Sequence, residues 1–347
     1  PVNSALLSEN TKSFEMRDNK KKSNSKVNKP VIKSSRKPST KNNKVKDLKA
    51  DEANKSSSQD SDLNINWYPG HMKKTKEQIL ENIKLVDVVL EIVDARAPYS
   101  TSNPDIDDMV KNLPKVVVLN KEDLADPNKT QQWIEYYKTK GHESAMINSL
   151  TGKGLNELLA SLNNKSKDLY KKLESKGRRK RALRVMVVGI PNVGKSSIIN
   201  RIVGKKSAQT GDRPGVTKGK QWVKLKGDLE LLDTPGVLWP KIEDQSVAMK
   251  LAFLGSIKDQ VMEIEEIAME LIKYLKEIKP QIFTERFDLD KDISDMEAIE
   301  IADFIAFKRG YILPGNQVDY FRLSSSLLME FRAGKLGTIT LETPKSI

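Results

Sequence analysis

Residues 189–196 read Gly-Ile-Pro-Asn-Val-Gly-Lys-Ser, a complete G-x-x-x-x-G-K-S phosphate loop, yet the guanine-reading tetrapeptide Asn-Lys-Glu-Asp stands ahead of it, at 120–123. In an ordinary guanine-nucleotide domain the phosphate loop comes first. One sheet can carry both motifs in this order only if the chain has been reconnected elsewhere, which compact domains with neighbouring termini tolerate. The order specifies a circularly permuted P-loop GTPase fold, a Ras-like parallel α/β sheet, with GTP and GDP as its nucleotides.

Each motif has residue types suited to its task. Gly189 and Gly194, with Pro191, Asn192 and Val193 between them, let backbone N–H groups face phosphate oxygens at the start of a helix that continues through Ser197. Lys195 is placed to reach the β- and γ-phosphates, and the Ser196 hydroxyl to ligate Mg²⁺. Asp233-Thr-Pro-Gly follows an apolar stretch directly, so Asp233 is expected to face the magnesium and Gly236 to sense the γ-phosphate. Thr217, between these motifs, is expected to close over both as a first switch does. At the base, the Asp123 carboxylate can accept hydrogen bonds from guanine N1–H and the 2-amino group. Asn120 supports the base edge, the Lys121 stem covers its face, and the Ser149 backbone meets O6. Such a site rejects the wrong base, because its buried acceptor would stay unpaired.

The surrounding pattern places the motifs. Residues 72–84 read as a helix. Residues 86–93 form an almost unbroken apolar run, the mark of a buried parallel strand. Further strands are predicted at 115–119, 144–147 and 183–188, with a strand pair at 221–225 and 230–232. Helices are predicted at 129–140, where Asp126-Pro127 is a start signal, at 154–176, ending in the basic stretch 176–181, and at 197–203. Strands alternating with helices mean a parallel α/β sheet. After about Val237 the strand signals stop, and 243–278, 295–308 and 320–333 carry helical periodicity. The permutation cuts the chain just after the second switch, so this helical part hangs directly from residues 233–236.

Composition bounds the partners. The net charge is +13, which favours polyanions and nucleic acid first. Residues 1–62 hold 15 Lys and Arg against 8 Asp and Glu, with little apolar material, so they are expected to be disordered. This tail reads either as a solvating segment or as an electrostatic RNA tether. There is no Cys, hence neither disulfide nor thiolate zinc site. No apolar run approaches the ~20 residues of a membrane helix. Three segments follow: a basic tail (1–62), a permuted GTPase domain (63–240) and a helical RNA-binding domain (241–347).

Residues 64–347 closely resemble the ribosome biogenesis GTPase A (YlqF) family. The resemblance is carried by Trp-Tyr-Pro-Gly-His-Met at 67–72, Val-Asp-Ala-Arg at 93–96, Asn-Lys-Glu-Asp at 120–123, the phosphate loop, Thr-Gly-Asp-Arg-Pro-Gly-Val-Thr at 210–217 and Asp-Thr-Pro-Gly-Val-Leu-Trp-Pro at 233–240. It implies a cytoplasmic, monomeric enzyme that binds the large ribosomal subunit and its rRNA late in assembly, and leaves on GTP hydrolysis. The C-terminal helices would contact RNA. Small-subunit permuted GTPases, which commonly carry cysteine zinc sites or an N-terminal β-barrel, fit poorly. A GTP-controlled RNA-binding switch with negligible turnover, and an organellar counterpart, are the other readings.

Ras-like enzymes place a water-orienting Gln after the second-switch Gly. Here Val237 stands there and cannot do this. The resemblance nominates His71 as the catalytic group; the plainer reading is that His71 caps a helix beside an aromatic turn. Asn192 matches the family pattern for a K⁺ ion acting between α- and γ-phosphates, and equally suits a loop-stabilising amide.

Overall fold

The computed structural model describes residues 77–110, 113–204, 221–225, 228–233, 242, 244–257 and 263–346, and the structural statements below concern these residues. The tail, His71, Thr217 and Gly236 lie outside them, as does the side chain of Asp233.

Six strands form one sheet in the order β3-β2-β1-β4-β6-β5. They are β1 (Val88–Asp94), β2 (Lys115–Asn120), β3 (Glu143–Ile147), β4 (Leu183–Val188), β5 (Gln221–Leu225) and β6 (Leu229–Asp233). All neighbours are parallel except β5 and β6. β1 and β2 are buried along their whole length, as a strand covered on both faces must be. Glu91 interrupts the apolar run in the middle of β1. It is fully buried, and is satisfied by Lys115 Nζ at 2.8 Å, by the Ser102 hydroxyl and by Asn103 N–H.

The crossovers follow their sequence signals closely. Residues 77–83 are helical and precede β1. Two short helices not anticipated from periodicity, α1 (Pro98–Thr101) and α2 (Pro104–Val110), follow β1. Each starts at a Pro and is too short for an amphipathic repeat to register. α3 (Pro127–Thr139) starts on the Asp126 cap, whose carboxylate accepts from Asn128 and Lys129 N–H. α4 (Leu155–Glu174) crosses from β3 to β4, and α5 (Lys195–Val203) follows the phosphate loop, two residues earlier than predicted.

The C-terminal part is helical, with three departures from expectation. The run 243–278 is two helices, α6 (Gln245–Phe253) and α7 (Ile264–Ile278). Gly255, at φ 69°, follows the first, and its left-handed backbone ends that helix. A short α8 (Ile282–Phe287) precedes α9 (Ala298–Arg309), and a two-residue hairpin, β7 (Ile312–Leu313) with β8 (Gln317–Val318), precedes α10 (Tyr320–Arg332). That hairpin corrects the expectation that strands end near Val237. Gly315 and Asn316 supply the positive φ its turn needs.

α7 packs on α10, α9 and α6. Leu271, Ile272 and Leu275 of α7 meet Leu327, Leu328 and Phe331 of α10 in one core. α6 belongs to two cores. Its Val247 and Leu251 join the sheet core with Val187 and Ile198, while Ala252 and Phe253 join the helical one.

Candidate nucleotide site

The carboxyl ends of β1, β2, β3, β4 and β6 share one edge of the sheet, where open α/β folds bind ligands. Every motif in the described residues is found there. The phosphate loop follows β4, the base motif begins on the last residue of β2, Ser149 stands two residues past β3, and Asp233 ends β6 opposite Val187.

The loop's glycines are required by geometry. A Cβ on Gly189 (φ 148°) would lie 2.5 Å from Ile92 O, and one on Gly194 (φ 95°) only 2.2 Å from Asn120 Nδ2. Pro191 and Val193 are buried, and Asn192 takes a left-handed φ of 64°. Gly194 caps α5 without a side chain, so the first N–H groups of that helix keep the character of an anion site. Ser196 and Ser197, half-buried, lie in its first turn. Lys195 is buried and donates to Ile190 O at 2.7 Å, which holds its ammonium within the loop.

The base motif is sewn into this loop. Asn120 is fully buried. Its Nδ2 donates to Val193 O at 2.8 Å, and its Oδ1 accepts from Ser149 N–H at 3.2 Å, so one carboxamide joins three strand ends. Lys121, itself left-handed at φ 60°, donates to Asn192 O at 2.7 Å and pairs with Asp94 Oδ2 at 2.9 Å. Asp123 sits exposed in the 3₁₀ turn Glu122–Leu124.

Asp94 and Arg96 were quoted in the sequence motif but given no role. The structure gives them one. Arg96 is buried and forks onto Asp94, with Nε to Oδ1 and Nη2 to Oδ2 both at 2.9 Å. Its Nη1 donates to Phe331 O at 3.2 Å, and the guanidinium lies 5.2 Å from the Phe331 ring centre. Burial alone would raise the Asp94 pKa, but Arg96 and Lys121 outweigh it and hold the carboxyl well below the usual range. A second link leaves the phosphate loop from Asn192, whose Nδ2 donates to Gly255 O at 2.6 Å, at the end of α6. A charged pair at the end of a buried strand was the available signal for Asp94 and Arg96; for Gly255 there was none.

A parallel sheet with a phosphate loop after its fourth strand and a guanine motif after its second defines a circularly permuted guanine-nucleotide P-loop protein. The family model described as "50S ribosome-binding GTPase" matches residues 184–296. Ribosome biogenesis GTPase A of Bacillus cereus is 46% identical over 281 residues, which is 81% of this chain and 94% of the relative. The Priestia megaterium protein of that name is 44% identical, over 81% and 98%. The solved structure of GNP-bound YlqF from T. maritima superposes with a TM-score of 0.55 at 31% identity, covering 79% of this chain and 100% of that one. The chain belongs to the ribosome biogenesis GTPase A family.

Proposed function

We propose that the protein is a GTPase that binds the large ribosomal subunit and couples GTP hydrolysis to a late step of its assembly. The observation that carries the nucleotide reading is the stitching of the base motif to the phosphate loop through Asn120 and Lys121. The family relation carries the ribosomal partner. The site residues fall into roles on this reading. Backbone N–H groups of 192–197 and Lys195 hold phosphate, and Asp123 and the Ser149 N–H read guanine. Mg²⁺ would neutralise phosphate charge when bound, and Ser196, in the first turn of α5, Thr217 and Asp233, the last residue of β6, would hold it. Asn192 has its amide fixed by Gly255 O and is assigned to a K⁺ contact. His71 is assigned to orienting the attacking water, with Gly236 sensing the γ-phosphate.

The chain is read as three parts, a basic tail (1–62), a GTPase domain (63–240) and a helical RNA-binding domain (241–347), acting as a cytoplasmic monomer. Among the described residues no helix is long and apolar enough to cross a membrane. The test is GTP turnover by the full chain alone, with purified large subunits and with small subunits, in K⁺ and in Na⁺. Stimulation by large subunits alone, greater in K⁺, is expected. Negligible turnover with every particle, with GTP-dependent binding retained, would instead favour an RNA-binding switch.

A further inference from the structure

The 3₁₀ turn that carries Asp123 makes few backbone hydrogen bonds of its own, although Glu122 pairs with Lys153 at 3.1 Å and Ala125 behind it is buried. It closes on Leu124 N–H to Lys121 O at 2.9 Å and Ala125 N–H to Glu122 O at 3.3 Å. Turns of this kind have poor hydrogen-bond geometry and are used only in short pieces. Ahead of it, Asn120 and Lys121 fix the chain to the phosphate loop. Behind it the partner is the far end of the sequence. Leu124 O accepts from Ile339 N–H at 2.9 Å, and Asp126 N–H donates to Thr340 Oγ1 at 2.9 Å. Gly334 lies so close that a Cβ would meet Leu124 Cδ2 at 2.4 Å.

This C-terminal strap is firmly anchored elsewhere. Leu341 N–H donates to Arg96 O at 2.7 Å, and Leu341 O accepts from Tyr274 OH at 2.8 Å. Glu342 O accepts from Trp133 Nε1 at 3.1 Å. The buried Glu342 carboxylate takes Ser100 N–H at 2.9 Å and Ser100 OH at 2.6 Å, and pairs with Lys250 at 3.4 Å. Residues 339–342 are all buried. The strap is therefore anchored in the cores it joins, and it meets the turn at two points, Leu124 O and Asp126 N–H.

We propose that residues 339 and 340 position the base-reading turn 122–126, so that guanine selectivity is set in part by the C-terminal end of the chain. The proposal rests on the assignment of Asp123 to guanine. A carboxylate that accepts two parallel hydrogen bonds from a base edge must be held to about 0.5 Å, and preorganisation of that order comes from supporting groups. Ile339 and Thr340 are positioning residues: they act through the backbone at 124–126 and stand behind the turn rather than in the site.

The test uses nucleotides that differ only where Asp123 reads. Inosine diphosphate keeps N1–H and lacks the 2-amino group of GDP. The full chain, its Thr340→Val variant and its Ile339→Pro variant are compared by competition against a fluorescent guanine nucleotide, with thermal melts as a check of folding. Thr340→Val removes the acceptor for Asp126 N–H at constant shape; Ile339→Pro removes the donor to Leu124 O. The expected result is a GDP-over-IDP preference reduced on the order of 3- to 10-fold in each variant, with IDP weakened less than GDP because it offers Asp123 one hydrogen bond rather than two, and a lost hydrogen bond is worth about that factor. A merely structural role would weaken both nucleotides alike and leave the ratio where it was. An unchanged ratio in folded variants overturns the proposal. If both variants fail to fold, hydrogen exchange on the unaltered chain decides it. GDP should slow exchange at the Ile339 amide more than IDP does, by reciprocity of coupling, and equal protection by the two overturns it. Should the unaltered chain itself bind GDP and IDP equally, the assignment of Asp123 has failed, and not the strap.

Discussion

Single side chains in this site are asked to hold several loops at once. Asn120 uses both ends of its amide, one on Val193 O and one on Ser149 N–H, while Lys121 spans Asn192 O and Asp94. Asp123 is different: it is exposed and stands clear of that lattice. It can be changed without disturbing the scaffold, which makes it the cleanest probe of base recognition. Asp123→Asn is expected to lower GTP affinity on the order of 10²-fold or more and to favour xanthosine triphosphate, because the amide donates where the carboxylate accepted. Titration calorimetry with both nucleotides checks this; unchanged GTP affinity would place the base elsewhere.

At the scale of elements, the phosphate loop is defined as much by its neighbours as by its own sequence. The glycine pattern is read from the chain, but the reason for Gly194 is Asn120, which comes from another strand and lies 2.2 Å from where a Cβ would be. Gly194→Ala must shift Asn120 and strain a left-handed backbone, a cost of about 1–3 kcal/mol for the backbone alone. A lower melting temperature together with at least a tenfold loss of nucleotide affinity is expected. A variant with native stability and affinity would mean that the loop adapts by moving away from β2. The helices behaved otherwise. α3 and α4 were legible because caps and apolar spacing are local, whereas α1, α2, α8 and the β7–β8 hairpin are too short to carry a repeat. The break after α6 fell inside a continuous helical pattern, and only Gly255 marks it.

Across the whole molecule, the helical part is held by much more than its link to residue 233. α6 fills both cores, Arg96 reaches Phe331 O, Asn192 reaches Gly255 O, and the strap returns to the base turn. Removing residues 243–347 would uncover the sheet core beneath Val247 and Leu251 and strip Trp133 Nε1 and Ser100 of buried partners. Each such orphan costs roughly 1–3 kcal/mol. The expected fragment melts without cooperativity and binds GTP poorly, as circular dichroism and calorimetry would report. A fragment with native GTP affinity would show instead that the sheet folds alone, with the helices a detachable module. Much of this protein was determined by its sequence, since the order of two motifs gives a permuted sheet, and apolar runs and caps place its strands and longer helices. Those signals are local, and each residue in them answers to neighbours a few positions away. Arg96 with Phe331, Asn192 with Gly255, and Thr340 with Asp126 answer to partners tens to hundreds of residues distant. No periodicity or spacing encodes such pairs, because the contact exists only after two cores have closed around it, and so the tertiary structure alone decided how the helical part grips the nucleotide site.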